Sequence, residues 1–290
     1  MKATRALIPL AGLASRLHPA TRVIPKALLP IPGPDGSLRP AVDWIVREAV
    51  ASGIDEVVLI ISPRDGDLIR HYFEEPPSVA PEGTSSRRIL AAWEAVAELA
   101  RQLIYVEQPT PGGFGDAVLQ AQAVVGSEPF VLLLGDHLYR SHTAVSCVRQ
   151  VLNLAEHTGQ GVLAVSRCGE AELSQRGVIG VQPLPGPTDQ FKLTEMHEKP
   201  TPQAVANLRI SGTNPPQYFC LFGIYLLPAR FMADLAAASQ QQQGELDLSG
   251  ALQRWISRDG GLAYEVAGES FDIGMPDQYR RTVIRFSEPL

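Results

Sequence analysis

The sequence lacks three things whose absence removes whole classes of function. No apolar run is long enough to cross a bilayer as a helix, and no stretch at its start reads as a signal peptide, so a soluble, cytoplasmic protein with no membrane partner is expected. Basic charge is not in excess: 25 Lys and Arg against 31 Asp and Glu leave a net charge of −6. A polyanion such as DNA or RNA has no field to follow, so phosphate chemistry in this chain should be local and its partner a small molecule. Cysteine is scarce. Cys147, Cys168 and Cys220 are odd in number and without metal-ligand spacing, which fits reduced thiols in the core.

What is present is an ordinary globular composition, 45% hydrophobic over 290 residues. A chain of that length buries roughly three quarters of its unfolded surface. One large domain, or one domain with a small appendage, is expected.

The stretch around which the rest is organised is Leu7 to Pro30, LIPLAGLASRLHPATRVIPKALLP. An apolar run ends near Gly12 and opens a loop carrying Arg16, Arg22 and Lys26 among small residues. A nucleoside triphosphate spreads negative charge over many oxygens and needs open backbone N–H groups plus cations on long side chains. Gly12, Ala14 and Ser15 leave the backbone open, Arg16 offers a two-pronged fork, and Lys26 a point charge in a loop stiffened by Pro19, Pro25 and Pro30. The alternative is a plain strand exit whose basic residues are solvated.

Along the chain, strand-like runs alternate with segments of helical period, which predicts an α/β fold with a mostly parallel sheet covered on both faces. Strands are read at Arg5–Leu10, Glu56–Ser62, Leu103–Glu107, Phe130–Leu134 and Gly161–Arg167, and helices at Pro40–Ser52, Asp65–Phe73, Arg88–Ala100, from near Asp116, and at Ala144–Glu156. Pro76–Ser86 reads as a polar surface loop. The second half is richer in extended segments, Gly177–Val181, Phe191–His197 and Tyr218–Leu227, with a further strand at Ala263–Val266. Gln240–Gln243 reads as a loop, Leu248–Ile256 as a helix, Phe271–Gly274 as an acidic turn, and Pro276 opens a terminal helix.

Three further places carry chemistry. Gln108–Gly115 (QPTPGGFG) is a second glycine-rich loop between a strand and a helix, on the side of the sheet where such folds bind ligands; Gln108 can read a base edge, and the glycines let a base lie on the backbone. A turn that needs glycine for its dihedrals is the alternative. Asp136 ends an apolar strand, where a carboxylate can hold Mg²⁺ or cap a helix. His137, with no partner at ligand spacing, reads as its polar neighbour. Glu198 and Lys199, before Pro200, can bind sugar hydroxyls and a phosphate or form a solvated turn.

Taken together, AGLASRLHPATRVIPKALLP, QPTPGGFGDAVL, RGVIGV, HEKP, FGIYLL, GELDLSGAL and FDIG resemble the sugar-1-phosphate nucleotidyltransferases, with the uridylyltransferases as the nearest pattern. The resemblance spans nearly the whole chain. It implies a single Rossmann-like α/β domain over residues 1–290, with a nucleotide-binding part (1–140) and a sugar-phosphate part with the terminal helix (141–290). It also implies UTP and glucose 1-phosphate as substrates, Mg²⁺ as cofactor and a homo-oligomer. By the same resemblance Ala11, Gly12, Gln108 and Gly113 bind the nucleotide, Arg16 and Lys26 hold the triphosphate, and Asp136 and Asp272 bind the metal. Gly177 and Glu198 would take the sugar and Lys199 its phosphate.

The chain departs from the pattern at Ala14, usually glycine, and at Pro109, Pro111, Gly112 and Asp116, which stand for two small residues, a lysine and a histidine. Those departures bear on base and sugar, so thymidylyl transfer is the alternative activity and a catalytically silent sugar-nucleotide sensor the alternative class.

Overall fold

The computed structural model describes residues 1–78, 84–241 and 244–288. In chain order the first half runs β1 (Arg5–Pro9), β2 (Pro30–Pro32), β3 (Leu38–Pro40), α1 (Ala41–Ala51), β4 (Glu56–Ile61), α2 (Gly66–Glu74), α3 (Thr84–Ala100), β5 (Leu103–Glu107), α4 (Phe114–Gln120), α5 (Gln122–Val125), β6 (Phe130–Leu133) and β7 (His137–Ser141). The second half runs α6 (Cys147–Thr158), β8 (Val162–Gly169), β9 (Gly177–Pro183), β10 (Gln190–Glu198), β11 (Gln217–Leu227), α7 (Phe231–Gln241), α8 (Ser249–Asp259), β12 (Leu262–Glu265), β13 (Gly268–Asp272) and α9 (Pro276–Arg285).

The inner strands β1, β4 and β6 are apolar through their buried middles because both of their faces are covered. On β1, Ala6 and Ile8 face one way and Leu7 the other. Ala6 and Ile8 join Val57 and Leu59 of β4 and Val131 and Leu133 of β6 beneath Val42, Ile45 and Val46 of α1, Phe73 of α2 and Val148 and Val151 of α6. Leu7 joins Val58, Ile60, Phe130 and Leu132 beneath Val118 of α4, Leu235 of α7 and Trp255 of α8. Helices therefore cover both faces of a mixed α/β structure, and no helix of the described residues is long and apolar enough to cross a membrane.

The strand order of the large sheet is β5-β4-β1-β6-β11-β8-β12-β10-β9. The pairings β5–β4, β4–β1 and β1–β6 are parallel, as the sequence led us to expect. Beyond β6 the expectation of a mostly parallel sheet is corrected: β8–β12 is parallel, but β11 runs antiparallel to β6 and β8, and β10 antiparallel to β12 and β9. β11 is long enough to pair with β6 through Ile224–Leu227 and with β9 through Phe219 and Cys220, so the second-half strands close into a small barrel-like ring. A bulge in β11 between Leu221 and Tyr225 lets one strand serve both, and Gly223 sits there at φ +102°.

Other readings change in detail. Of the expected turn at Phe271–Gly274, Phe271 and Asp272 are the end of β13, which pairs antiparallel with β7 so that Asp272 stands opposite His137, while Ile273 and Gly274 follow the strand. The predicted loop Pro76–Ser86 lies partly outside the described residues, and its end belongs to α3. Of the predicted loop Gln240–Gln243, residues 242 and 243 lie outside the described residues, while Gln240 and Gln241 end α7. The expectation of three reduced thiols is corrected as well: Cys168 and Cys220 form a disulfide, because β8 and β11 are neighbours and bring their Cα atoms to 6.0 Å. Cys147 is free and buried.

Candidate functional site

At the carboxyl end of β1 the chain enters the basic loop, and Ala14 there holds a left-handed conformation at φ 49° and ψ 37°. A residue with a Cβ pays roughly 1 kcal/mol for that geometry. The turn is held by Leu17 N–H, which donates to Ala14 O at 3.0 Å, and by Thr21 Oγ1, which donates to the same carbonyl at 3.0 Å. The Cα of Gly12 faces open space, with nothing near enough to touch an added Cβ. Arg16 is exposed and has no ion pair among the described residues.

Lys26 reaches back across the cleft, its Nζ donating to Asp136 Oδ2 at 2.8 Å. Asp136 follows β6 after Leu134 and Gly135; Gly135 is required there, since a Cβ would fall 2.2 Å from the Pro9 carbonyl. The other oxygen of Asp136, Oδ1, lies 3.0 Å from His137 Nδ1. Burial works against the charge on Asp136, but Lys26 and the His137 hydrogen bond hold its carboxyl far below the usual carboxylate range. It is an anion at any physiological pH.

Asp272 arrives from the far end of the chain. Ile273 N–H donates to Asp136 O at 2.9 Å, and Gly274 N–H donates to Asp272 Oδ1 at 2.6 Å, fixing the second carboxylate beside the first. Donor atoms of Asp136, His137 and Asp272 all lie within 4.8 Å of one another. Two carboxylates at that spacing suit a hard divalent cation, which takes oxygen ligands. The donor set therefore fits Mg²⁺. The cleft beside it, about 170 Å³, is lined by Ala14, Ser15, Arg16, Lys26, Asp136 and Gly274.

The glycine-rich loop forms a second cluster. Gln108 is buried at the tip of β5, and its Nε2 donates to Asp116 Oδ2 at 2.6 Å and to Gly113 O at 3.2 Å. Ala11 is likewise buried at the exit of β1. The glycines here have a reason the sequence did not reveal: at Gly113 a Cβ would meet Leu246 O at 2.6 Å, and at Gly115 Asp247 O at 2.7 Å. Segment 245–247 pairs with the loop through Gly115 N–H to Leu246 O and Leu246 N–H to Gly112 O.

The third cluster is on the barrel-like side. A Cβ on Gly177 would lie 3.2 Å from Glu198 Oε2, so the carboxylate packs directly on the glycine. Lys199 has φ 45°, its N–H donates to Arg176 O at 3.2 Å, and its Nζ lies 3.2 Å from Glu198 Oε1. Arg176 donates to Ser270 Oγ on β13 at 3.3 Å, which ties this cluster to the strand that carries Asp272. Burial and the charge of Glu198 raise the Tyr225 phenol pKa, with Asp136 adding to the effect and Arg176 opposing it. Tyr225 thus feels charge from both the Asp136 cluster and the Glu198 cluster.

The structure brings Arg16, Lys26, Asp136 and Asp272 to one cleft, and groups Gln108 with Gly113, and Gly177 with Glu198 and Lys199. Sequence reasoning did not single out Arg176 or Tyr225, and marked Asp116 only as a departure from the family pattern bearing on base and sugar. His137, read only as a neighbour, offers a donor atom to the carboxylate pair.

These features define a mixed α/β protein with a cleft at the carboxyl ends of β1 and β6, where folds of this kind bind ligands. A family model described as Nucleotidyl transferase matches residues 5–285, and the chain belongs to that family. Among curated proteins it is similar to UTP–glucose-1-phosphate uridylyltransferase 1 of Staphylococcus saprophyticus, 29% identical over 99% of this chain and 93% of that protein. Among solved structures it is similar to a UTP-bound UGPase from Acinetobacter baumannii, 25% identical with a TM-score of 0.76 over 99% of this chain and 93% of that one. A UDP-glucose pyrophosphorylase complexed with UDP-glucose shares the fold at a TM-score of 0.78 and 24% identity, over 98% of this chain and 97% of that one.

Proposed function

We propose that the chain transfers the nucleotidyl group of UTP to glucose 1-phosphate, giving UDP-glucose and pyrophosphate. The observation that carries the reading is the meeting of Lys26, Asp136 and Asp272 in a cleft that also exposes the unpaired Arg16. The names of the relatives support the choice of UTP and glucose 1-phosphate.

In this reading Ala11, Gly12, Gln108 and Gly113 bind the nucleotide, so that most of residues 1–140 serve UTP. Gly177 and Glu198 bind the sugar and Lys199 its phosphate, from the part 141–290. Asp136 and Asp272 would hold Mg²⁺, which would supply charge neutralisation for the phosphate groups.

The mechanism rests on charge. A sugar 1-phosphate has a second pKa of about 6 and is already largely a dianion at neutral pH, so its oxygen needs no general base. The difficulty is bringing it against an anionic triphosphate in line with the leaving pyrophosphate. Arg16 and Lys26 offset charge on the triphosphate, and Lys199, whose backbone N–H donates to Arg176 O, offsets charge on the sugar phosphate. Glu198 accepts from sugar hydroxyls and orients the ring.

The test is pyrophosphate release with Mg²⁺, glucose 1-phosphate and each of UTP, dTTP, CTP, GTP and ATP in turn. Fastest release with UTP is expected. Release favouring dTTP would reassign the base, and no release with any nucleotide would contradict transfer to this sugar.

A further inference from the structure

We propose that Asp116 is a positioning residue: it locks the side-chain amide of Gln108 with the carbonyl oxygen turned toward the base, and so makes the site select bases that carry an imino N–H. The proposal rests on the nucleotide reading of the cleft given above.

The lock follows from what each atom can do. Gln108 Nε2 meets two oxygens, Asp116 Oδ2 at 2.6 Å and the Gly113 carbonyl at 3.2 Å. A carboxylate and a main-chain carbonyl both accept and cannot donate. Turning the amide over would set Oε1 against two acceptors, so the orientation is dictated by chemistry rather than by fit. Gln108 is buried, and its backbone N–H is spent on Ile61 O at 2.8 Å. It cannot relax into water.

Asp116 is itself held in place. Gln120, one turn further along α4, donates to Asp116 Oδ1 at 3.1 Å. On the other side lies Gly112, where a Cβ would come within 2.6 Å of Asp116 Cγ. Two amides grip the two carboxylate oxygens, and no cation among the described residues pairs with Asp116 to draw it away.

The consequence falls on the free end of Gln108. Its Oε1 receives no hydrogen bond from any described residue, which leaves an acceptor at the tip of β5. Uracil and thymine carry N3–H, a donor that satisfies this oxygen. Cytosine presents a bare N3 in the same position, acceptor against acceptor. A buried site built around one hydrogen bond discriminates strongly against a ligand that cannot make it, because both groups are then left unpaired.

The experiment compares kcat/KM for UTP and CTP, near-isosteric nucleotides, in the wild-type protein and in Asp116→Ala and Asp116→Asn, with glucose 1-phosphate and Mg²⁺. Asp116→Ala is expected to lower the UTP-to-CTP ratio about tenfold or more. Asp116→Asn, which keeps an oxygen within reach of Gln108 Nε2, should retain most of the ratio. Should Asp116→Ala not fold, Asp116→Ser removes the same reach. A merely structural role would slow both nucleotides alike, and an unchanged ratio in Asp116→Ala or Asp116→Ser overturns the proposal. If the wild-type protein transfers no nucleotide at all, the function reading fails on its own, and the lock is then read from equilibrium binding of UTP and CTP. Equal affinities in the wild-type protein would overturn it there, and a UTP preference lost in Asp116→Ala would sustain it.

Discussion

Lys26 Nζ lies 2.8 Å from Asp136 Oδ2 and joins two residues 110 positions apart, one on the basic loop after β1 and the other beyond the end of β6. The contact neutralises the carboxylate at the point where Asp272 is held alongside. If this cluster does the chemistry, Asp136→Asn should slow pyrophosphate release about 10²–10³-fold, and Lys26→Ala similarly, with the melting transition preserved. Chelation of divalent ions should stop the wild-type reaction and added Mg²⁺ restore it. Near-normal turnover in Asp136→Asn would remove this residue from the reaction.

Ala14 offers a test of the loop itself. Its φ of 49° is one that glycine adopts freely and β-branched residues resist. Ala14→Gly is expected to leave stability within about 1 kcal/mol, since relief of the Cβ penalty is offset by the greater freedom glycine gives the unfolded chain. Ala14→Val should destabilise by about 2 kcal/mol or more and depress activity, because the loop lines the cleft. Urea unfolding with a parallel rate assay separates the two effects.

Glu48, on α1, provides a pH prediction away from the cleft. It accepts from Val148 N–H at 2.8 Å at the start of α6, yet burial raises its carboxyl pKa from 4.5 to about 6. Between those values the folded protein binds more protons than the unfolded chain, so stability falls as pH rises from 4.5 to 6. Glu48→Gln keeps an acceptor for Val148 and removes the charge. It should stabilise the protein by about 1–2 kcal/mol above pH 6 and give no gain below pH 4.5, read from denaturation midpoints across that range.

The Cys168–Cys220 disulfide spans 52 residues and fastens β8 to β11 within the ring of second-half strands. Alkylation of the denatured, unreduced protein should modify Cys147 alone, and all three cysteines after reduction. By loop-closure entropy the bridge contributes up to about 4 kcal/mol, so reduction should lower the melting temperature measurably. Three reactive thiols without reduction would contradict the bond.

Legibility in the sequence followed burial. β1, β4 and β6 are covered on both faces and read as apolar runs, so their positions were plain. β13, GESFD, is half polar because it pairs only with β7 at the edge of the cleft, and it passed for a turn. α7 was masked by its glutamines, although Phe231, Met232, Leu235 and Ala238 form an apolar stripe and glutamine is a good helix former. The closure of the ring and the disulfide both depend on β11 pairing with distant strands, which no local pattern encodes. At the site, Asp136 could be found from its place after an apolar strand. Asp272 followed only from the resemblance, since an acidic residue at a strand end has no local signal for a partner 136 positions away. Asp116 could have been suspected from its place opening α4 after the glycine loop, but only the fold shows what it grips.

The most direct test of the account is a Mn²⁺ titration in the presence of UTP, followed by electron paramagnetic resonance, for the wild-type protein, Asp136→Asn and Asp272→Asn. The convergence of the two carboxylates predicts a tight protein-bound Mn²⁺ signal in the wild-type protein that weakens sharply in each variant. Equal Mn²⁺ binding in all three proteins would contradict it.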